Sequence, residues 1–188
     1  MKYIFGLGNP GQEYKLTRHN AGYCVIDLLA ERYDARFKTD IKLECLVGQC
    51  MIERNKVMLL KPLTYMNHSG YAVSAVVDYF DADLDDILVL YDDIDIPFGT
   101  LRIREKGGAG THNGMRSIVE YMQSEDFARI RMGIGKPEFG LAGHVLGKFK
   151  PDERVEAEKM YMHAADAVEC ILSDGIQKAQ QEFQEKPT

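Results

Sequence analysis

A short apolar run at the start of the chain, Tyr3–Leu7, has room for one buried strand and nothing longer. The glycine- and proline-broken segment Gly6-Leu7-Gly8-Asn9-Pro10-Gly11 stops it. Thr17-Arg18-His19-Asn20 then opens an apolar periodic run from Ala21 to Leu29, a helix with Asn20 as its expected N-cap. A strand end, a loop and a helix start thereby gather Asn9, Arg18, His19 and Asn20 at the edge where open α/β sheets carry their chemistry. Gly6, Gly8 and Gly11 also spell G-x-G-x-x-G, the pattern of a dinucleotide-binding turn. Two features set that reading aside. QEYKLTRHN follows where a helix N-terminus should meet a pyrophosphate, and Asp27 and Glu31 fall inside the helical pattern instead of ending a second strand.

Further along, Glu44–Ile52 and Val57–Lys61 read as strands joined by a turn at Arg54-Asn55-Lys56. A helix from about Gly70 to Phe80 has Ser69 as its candidate N-cap, and the acidic run Asp81–Asp86 is a connector. Ile87-Leu88-Val89-Leu90-Tyr91 is the clearest buried strand, ending at Asp92, with a turn at Asp95–Gly99 and a strand over Thr100–Arg104. A glycine-rich loop, Lys106–Gly114, leads into a helix over Met115–Met122, and Phe127–Ile134 alternates Arg129 and Arg131 against Ile130 and Met132. Pro137–Gly147 reads as a mobile glycine loop. Beyond Pro151, apolar residues recur at helical steps, break at Ser173-Asp174-Gly175, and resume at Ile176, Ala179 and Phe183. The alternation predicts one α/β domain: a twisted mixed, mostly parallel sheet flanked by helices, with helices at the C-terminus.

At 188 residues the chain suffices for one sizeable core. No apolar run approaches a membrane span, and MKYIFGLGNPG lacks a secretory signal, so a cytoplasmic protein is expected. Cys24, Cys45, Cys50 and Cys170 form no C-x-x-C and are read as reduced structural thiols. The net charge of −6 is unevenly spread. Residues 100–150 hold 9 Lys and Arg against 5 Asp and Glu, enough for a local basic face on an acidic protein.

Several catalytic sets are missing: there is no G-x-S-x-G, no H-E-x-x-H and no Walker loop. What remains is histidines, loop asparagines and the carboxylates near Asp92, an inventory suited to an activated water. His19 is a candidate general base, since an imidazole titrating near ~6.5 suits proton transfer at neutral pH. Asp92, at a strand end, is placed to orient such a base. Spacing alone does not choose His19 over His112, which also sits beside an asparagine before a helix. Asp92-Asp93-x-Asp95 suggests a divalent cation, but neighbouring strand residues point opposite ways. We therefore expect no metal there, with Asp95 and Asp93 satisfying turn donors. Asn9, Asn67 and Asn113 are each ordinary turn residues taken singly. As a set, uncharged amides suit binding a peptide backbone and steadying an oxyanion.

Tyr14 to Asp27 (Y-x-x-T-R-H-N-x-G-x-x-V-I-D) and Gly108 to Ile118 (G-x-x-x-H-N-G-M-R-S-I) resemble the two signatures of the bacterial peptidyl-tRNA hydrolase family. Met66-Asn67-x-Ser69-Gly70 and Asp92-x-x-Asp95-x-Pro97-x-Gly99 match that family's pattern in order and spacing, and the likeness runs from Gly6 to about Gly147. The resemblance implies a cofactor-free, metal-free, monomeric esterase that frees the peptide from the 3′ ribose of peptidyl-tRNA. It places the catalytic base on His19, its orienting aspartate on Asp92, and water or oxyanion positioning on Asn113. Asn9, Tyr14, Met66, Asn67 and His112 fall at peptide- or adenosine-binding positions. Arg104 and Arg131 fall at positions that grip the tRNA acceptor end, with Lys106 nearby to share or replace that role. Ala109 and Thr111 depart from residues common in the family's glycine loop. Relatives that bind RNA without hydrolysis offer a rival reading, against which the joint presence of His19, Asp92 and the three asparagines speaks.

Overall fold

Five apolar residues in a row, Ile87 to Tyr91, can be buried only if both faces of their strand are covered, and both are. A computed structural model describes residues 1–184. In it, β5 (Ile87–Asp93) lies inside a seven-stranded sheet with β1 (Lys2–Gly6), β2 (Lys38–Asp40), β3 (Cys45–Ile52), β4 (Asn55–Pro62), β6 (Leu101–Arg104) and β7 (Ala128–Gly133). The order is β2-β3-β4-β1-β5-β7-β6. The four middle strands β4, β1, β5 and β7 run parallel, while β2, β3 and β6 add antiparallel edges. This is the mixed, mostly parallel sheet expected from the sequence.

Side-chain alternation splits the core in two. Ile4, Leu59, Leu88, Leu90, Ile130 and Met132 face α1 (Ala21–Arg32) and, near the C-terminus, α5 (Arg154–Asp174) and α6 (Ile176–Phe183). Phe5, Met58, Leu60, Val89 and Tyr91 face α2 (Ser69–Phe80) and α3 (Asn113–Met122). Each such buried aliphatic or aromatic side chain contributes about 1.5–3 kcal/mol relative to exposure. On the first face α1 lies close enough that only glycine fits: a Cβ on Gly22 would sit 2.4 Å from both Leu7 N and Leu90 O. Gly22→Ala is therefore expected to destabilise by about 1–3 kcal/mol, as overpacking against backbone does. A thermal melt showing an unchanged midpoint would refute it.

Several sequence expectations shift. The β3–β4 turn is the pair Glu53-Arg54, with φ of 46° and 65°. A two-residue hairpin needs that hand of turn, and no Asn-Gly marks it in the sequence. Asn20 caps nothing by its side chain, nor does Ser69, whose hydroxyl donates to the Met66 carbonyl. Both helices grow directly out of 3-10 turns, Arg18–Asn20 and Met66–His68, so the expected caps were displaced by that extra turn. Pro137–Gly147 is not all loop: α4 (Leu141–Val145) forms within it and buries Val145 against Ile134 and Phe149.

Candidate active site

Asp92 falls in step with Leu88 and Leu90, so it projects from the carboxyl end of β5 towards the 3-10 turn that precedes α1. Tyr91 projects to the other face and sets its ring edge-on to His112, with centroids 4.9 Å apart. His19 therefore comes from one side of the sheet and His112 from the other, and they meet at Asp92. His19 Nδ1 is 3.0 Å from both carboxylate oxygens, and His112 Nε2 is 3.0 Å from Oδ1.

The hydrogen-bond partners identify the tautomers. The Met115 N–H donates to His112 Nδ1 at 3.2 Å, so that nitrogen holds a lone pair and Nε2–H donates to Asp92. His19 Nδ1 faces the same carboxylate and donates its proton there, which leaves the basic lone pair on Nε2. Asp92 is fully buried. Burial by itself raises a carboxyl group, but the electrostatics and hydrogen bonds of His112 and His19 outweigh it and hold Asp92 well below the usual carboxylate range.

Arg18, the residue before His19, fixes the turn from behind. Its N–H donates to Gly147 O at 3.0 Å, and its guanidinium reaches Lys148 O at 3.1 Å and Glu153 at 3.0 Å above the Phe149 ring. Asn20 brackets Asn9: its Oδ1 accepts the Asn9 N–H and its Nδ2 donates to the Asn9 carbonyl, both at 2.9 Å. Asn9 Oδ1 in turn accepts the Met66 N–H at 2.7 Å. That bond orients the Asn9 amide and leaves Nδ2 as its donor.

Around these groups lies a cleft of about 600 Å³. Asn9, Tyr14, His19, Met66, Asn67, Asp92, His112, Asn113 and Arg131 all line it, so nine residues singled out in the sequence converge on one cavity. Arg104 and Lys106 do not. Arg104 lies on edge strand β6 and donates to Gln184 Oε1 at 2.8 Å, and Lys106 sits 4.0 Å from Asp126. Arg131 donates to Asp93 at 2.8 Å, and Asp93 also accepts the Asp95 N–H, so the turn donor is met by Asp93 and not by Asp95. Arg129 is not on the basic face its charge suggested; it is buried, with its guanidinium among backbone carbonyls.

Among the described residues, His19, Asp92 and His112 are the one group with three potential metal-ligand atoms, all within 4.8 Å. Both nitrogens that face the carboxylate carry protons in the tautomers above, so the group is arranged as hydrogen-bonded partners. Asp93 is turned to Arg131 and Asp95, and the three aspartates do not converge. Chemically, the site offers a basic imidazole nitrogen, a buried carboxylate behind it, and neutral amides around a half-apolar cleft.

Sequence reasoning missed Tyr65, whose ring meets Tyr14 edge-on at 6.2 Å, and the α4 residues Leu141, Ala142 and Val145 on the far wall. Nothing in a short apolar segment between glycines marks it as a wall. The role of Asn20 had a signal, its place in Thr-Arg-His-Asn, but helix-capping preference claimed it first.

A family model described as peptidyl-tRNA hydrolase matches residues 3–188. A peptidyl-tRNA hydrolase of Alkaliphilus oremlandii is 50% identical over 177 residues, covering 94% of this chain and 95% of the relative. One from Geobacillus kaustophilus is 44% identical over 187 residues, covering 98% and 100%. The crystal structure of peptidyl-tRNA hydrolase from Acinetobacter baumannii superposes with a TM-score of 0.93 at 36% identity, covering 98% of this chain and 94% of that one. A structure of a peptidyl-tRNA hydrolase complexed with N-propanol gives 0.92 at 38% identity, covering 100% and 97%.

Proposed function

The chain belongs to the peptidyl-tRNA hydrolase family, and we propose that it hydrolyses the ester between the peptide and the 3′ ribose of peptidyl-tRNA with His19 as general base. His19 Nε2 takes a proton from water, which attacks the ester carbonyl carbon. The amide of Asn113 donates to the oxyanion that forms, an interaction worth roughly 10²–10³ in rate in other acyl-transfer sites. Collapse of the intermediate breaks the bond to the ribose oxygen, which takes the proton back from the imidazolium. The products are a peptide acid, which releases its proton to solvent to become the carboxylate, and a tRNA with its 3′ hydroxyl restored. Asp92 holds the His19 tautomer throughout and favours the imidazolium.

Asn9 and Asn67 bind the peptide backbone, while Tyr14, Met66 and His112 pack the peptide and the terminal adenosine. Arg131 at the cleft, and Arg104 and Lys106 beyond it, grip the phosphates of the acceptor stem. Such contacts give salt-dependent binding without base readout. The protein works as one domain and as a monomer in the cytoplasm, without metal or cofactor. No helix among the described residues is long and apolar enough to cross a membrane.

The observation that carries this reading is the His19–Asp92 pair at the floor of a cleft lined by Asn9, Asn67 and Asn113. Its test is substrate discrimination. N-acetyl-aminoacyl-tRNA is expected to be cleaved at least ~10²-fold faster than free aminoacyl-tRNA, because an ammonium leaves the site's amides unpaired. Equal turnover of the two, or RNA binding with no turnover of either, would overturn it.

A further inference from the structure

Strand β6 ends the sheet, so one of its edges has no neighbouring strand. Backbone groups on such an edge need partners from elsewhere. Ile103, fully buried, finds them on side chains at α6. Gln184 Oε1 accepts the Ile103 N–H at 2.8 Å, and Gln180 Nε2 donates to the Ile103 carbonyl at 3.0 Å. Two glutamines, one in α6 and one directly after it, thus stand where a further strand would pair.

Gln184 Oε1 also accepts from Arg104 Nη1 at 2.8 Å, and the same nitrogen donates to the Ile103 carbonyl at 3.0 Å. Nη1 carries two hydrogens, and both are used. That leaves Nε and Nη2, the edge with which an arginine takes two oxygens of one phosphate. Among the described residues nothing accepts from either. Arg131 and Lys106 differ: each has a carboxylate within 4.0 Å, Asp93 and Asp126 respectively. The acceptors of Arg104 are both neutral. A neutral oxygen fixes a guanidinium without cancelling its charge, so Arg104 is held in place and keeps its full pull on an anion.

We propose that Gln184 is a positioning residue for substrate binding: it holds the exposed Arg104 with one guanidinium edge ready for a phosphate of the acceptor stem. The proposal rests on the hydrolase reading above, with Arg104 as part of its grip, and extends that grip to the end of α6. An arginine loses much rotamer freedom when it is fixed. Gln184 meets that cost on folding, before the tRNA arrives, which is how preorganisation raises affinity. Glutamine suits the task where glutamate does not, because a carboxylate at the same place would neutralise the cation it holds.

The test is steady-state kinetics on N-acetyl-aminoacyl-tRNA, with each variant shown by a thermal melt to be folded. Gln184→Ala is expected to raise KM by about 3- to 10-fold with little change in kcat, the scale of freeing one long side chain. Arg104→Ala should raise KM by itself, and adding Gln184→Ala to it should then have no further effect. Gln184→Glu keeps an acceptor for Ile103 and Arg104, so a role in the fold alone predicts the wild-type KM. The proposal predicts a rise at least as large as that of Gln184→Ala. Gln180→Ala loosens the same edge without touching Arg104 and should leave KM near the wild-type value. An unchanged KM in Gln184→Ala or in Arg104→Ala, or the same Gln184→Ala loss with and without Arg104, would overturn the proposal. So would a wild-type KM in Gln184→Glu or an equal loss in Gln180→Ala. Failure of the wild type to cleave N-acetyl-aminoacyl-tRNA would instead sink the hydrolase reading.

Discussion

His19→Ala is expected to lower kcat on N-acetyl-aminoacyl-tRNA by roughly 10²–10⁴-fold, the usual worth of a positioned general base. KM should move little, because the residue acts on water and not on uniform substrate binding. The two histidines differ in their hydrogen bonds. His112 spends Nδ1 on the Met115 N–H and Nε2–H on Asp92, so it has no free lone pair to accept a proton. His19 has one, on Nε2. His112→Ala should therefore cost less, through a slackened Asp92 and the loss of the α3 cap. Steady-state kinetics of both variants, each shown by a thermal melt to be folded at the assay temperature, decide the matter. If His19→Ala stays active while His112→Ala does not, the base has been misassigned.

Asp92→Asn should be nearly as damaging, with a kcat loss approaching the ~10⁴-fold seen when an orienting aspartate elsewhere is converted to its amide. One carboxylate accepts from two imidazole N–H groups through two oxygens. An asparagine has one acceptor oxygen and turns an N–H donor towards the other ring. The imidazole it faces must then present a lone pair, and for His19 that moves the proton to Nε2 and removes the base. The same change alters acid stability. Because the folded carboxyl lies below its usual range, Asp92 favours the native state above an unfolded pKa near ~3.9. That contribution is lost as pH falls through the depressed folded value. Asp92→Asn should thus flatten the acid limb of an unfolding curve measured between about pH 5 and 2. An acid limb as steep as the wild type's would show that the carboxylate's partners do not stabilise the fold.

Much of the architecture was legible because the physics was local. Ile87–Tyr91 is apolar throughout and had to be a central strand; Ala157 to Leu172 repeats at helical steps and became α5. Gly175, at φ of 92°, separates α5 from α6 where the pattern broke. The readings that failed depended on distant partners. Asn20 was expected to cap a helix, but Asn9 lies close enough for both of its amide atoms. Arg129 counted as surface charge until the carbonyls of the loop stem, 21 and 22 residues away, enclosed it. α4 forms because Val145 has Ile134 and Phe149 to pack on, and a scan of short windows does not contain them.

The chain's own order of residues determined the kinds of groups available and the elements carrying them: a parallel α/β sheet, loop asparagines, and two histidines each before a helix. Spacing left His19 and His112 equal. The family resemblance placed the base on His19, and the tertiary structure adds a physical difference between the two rings by bringing the Met115 N–H to one and not the other. The reason is that a proton's place on an imidazole is set by which donors and acceptors lie within hydrogen-bonding distance, and Asp92 is 73 residues from His19. Folding decides that distance; composition and spacing do not contain it.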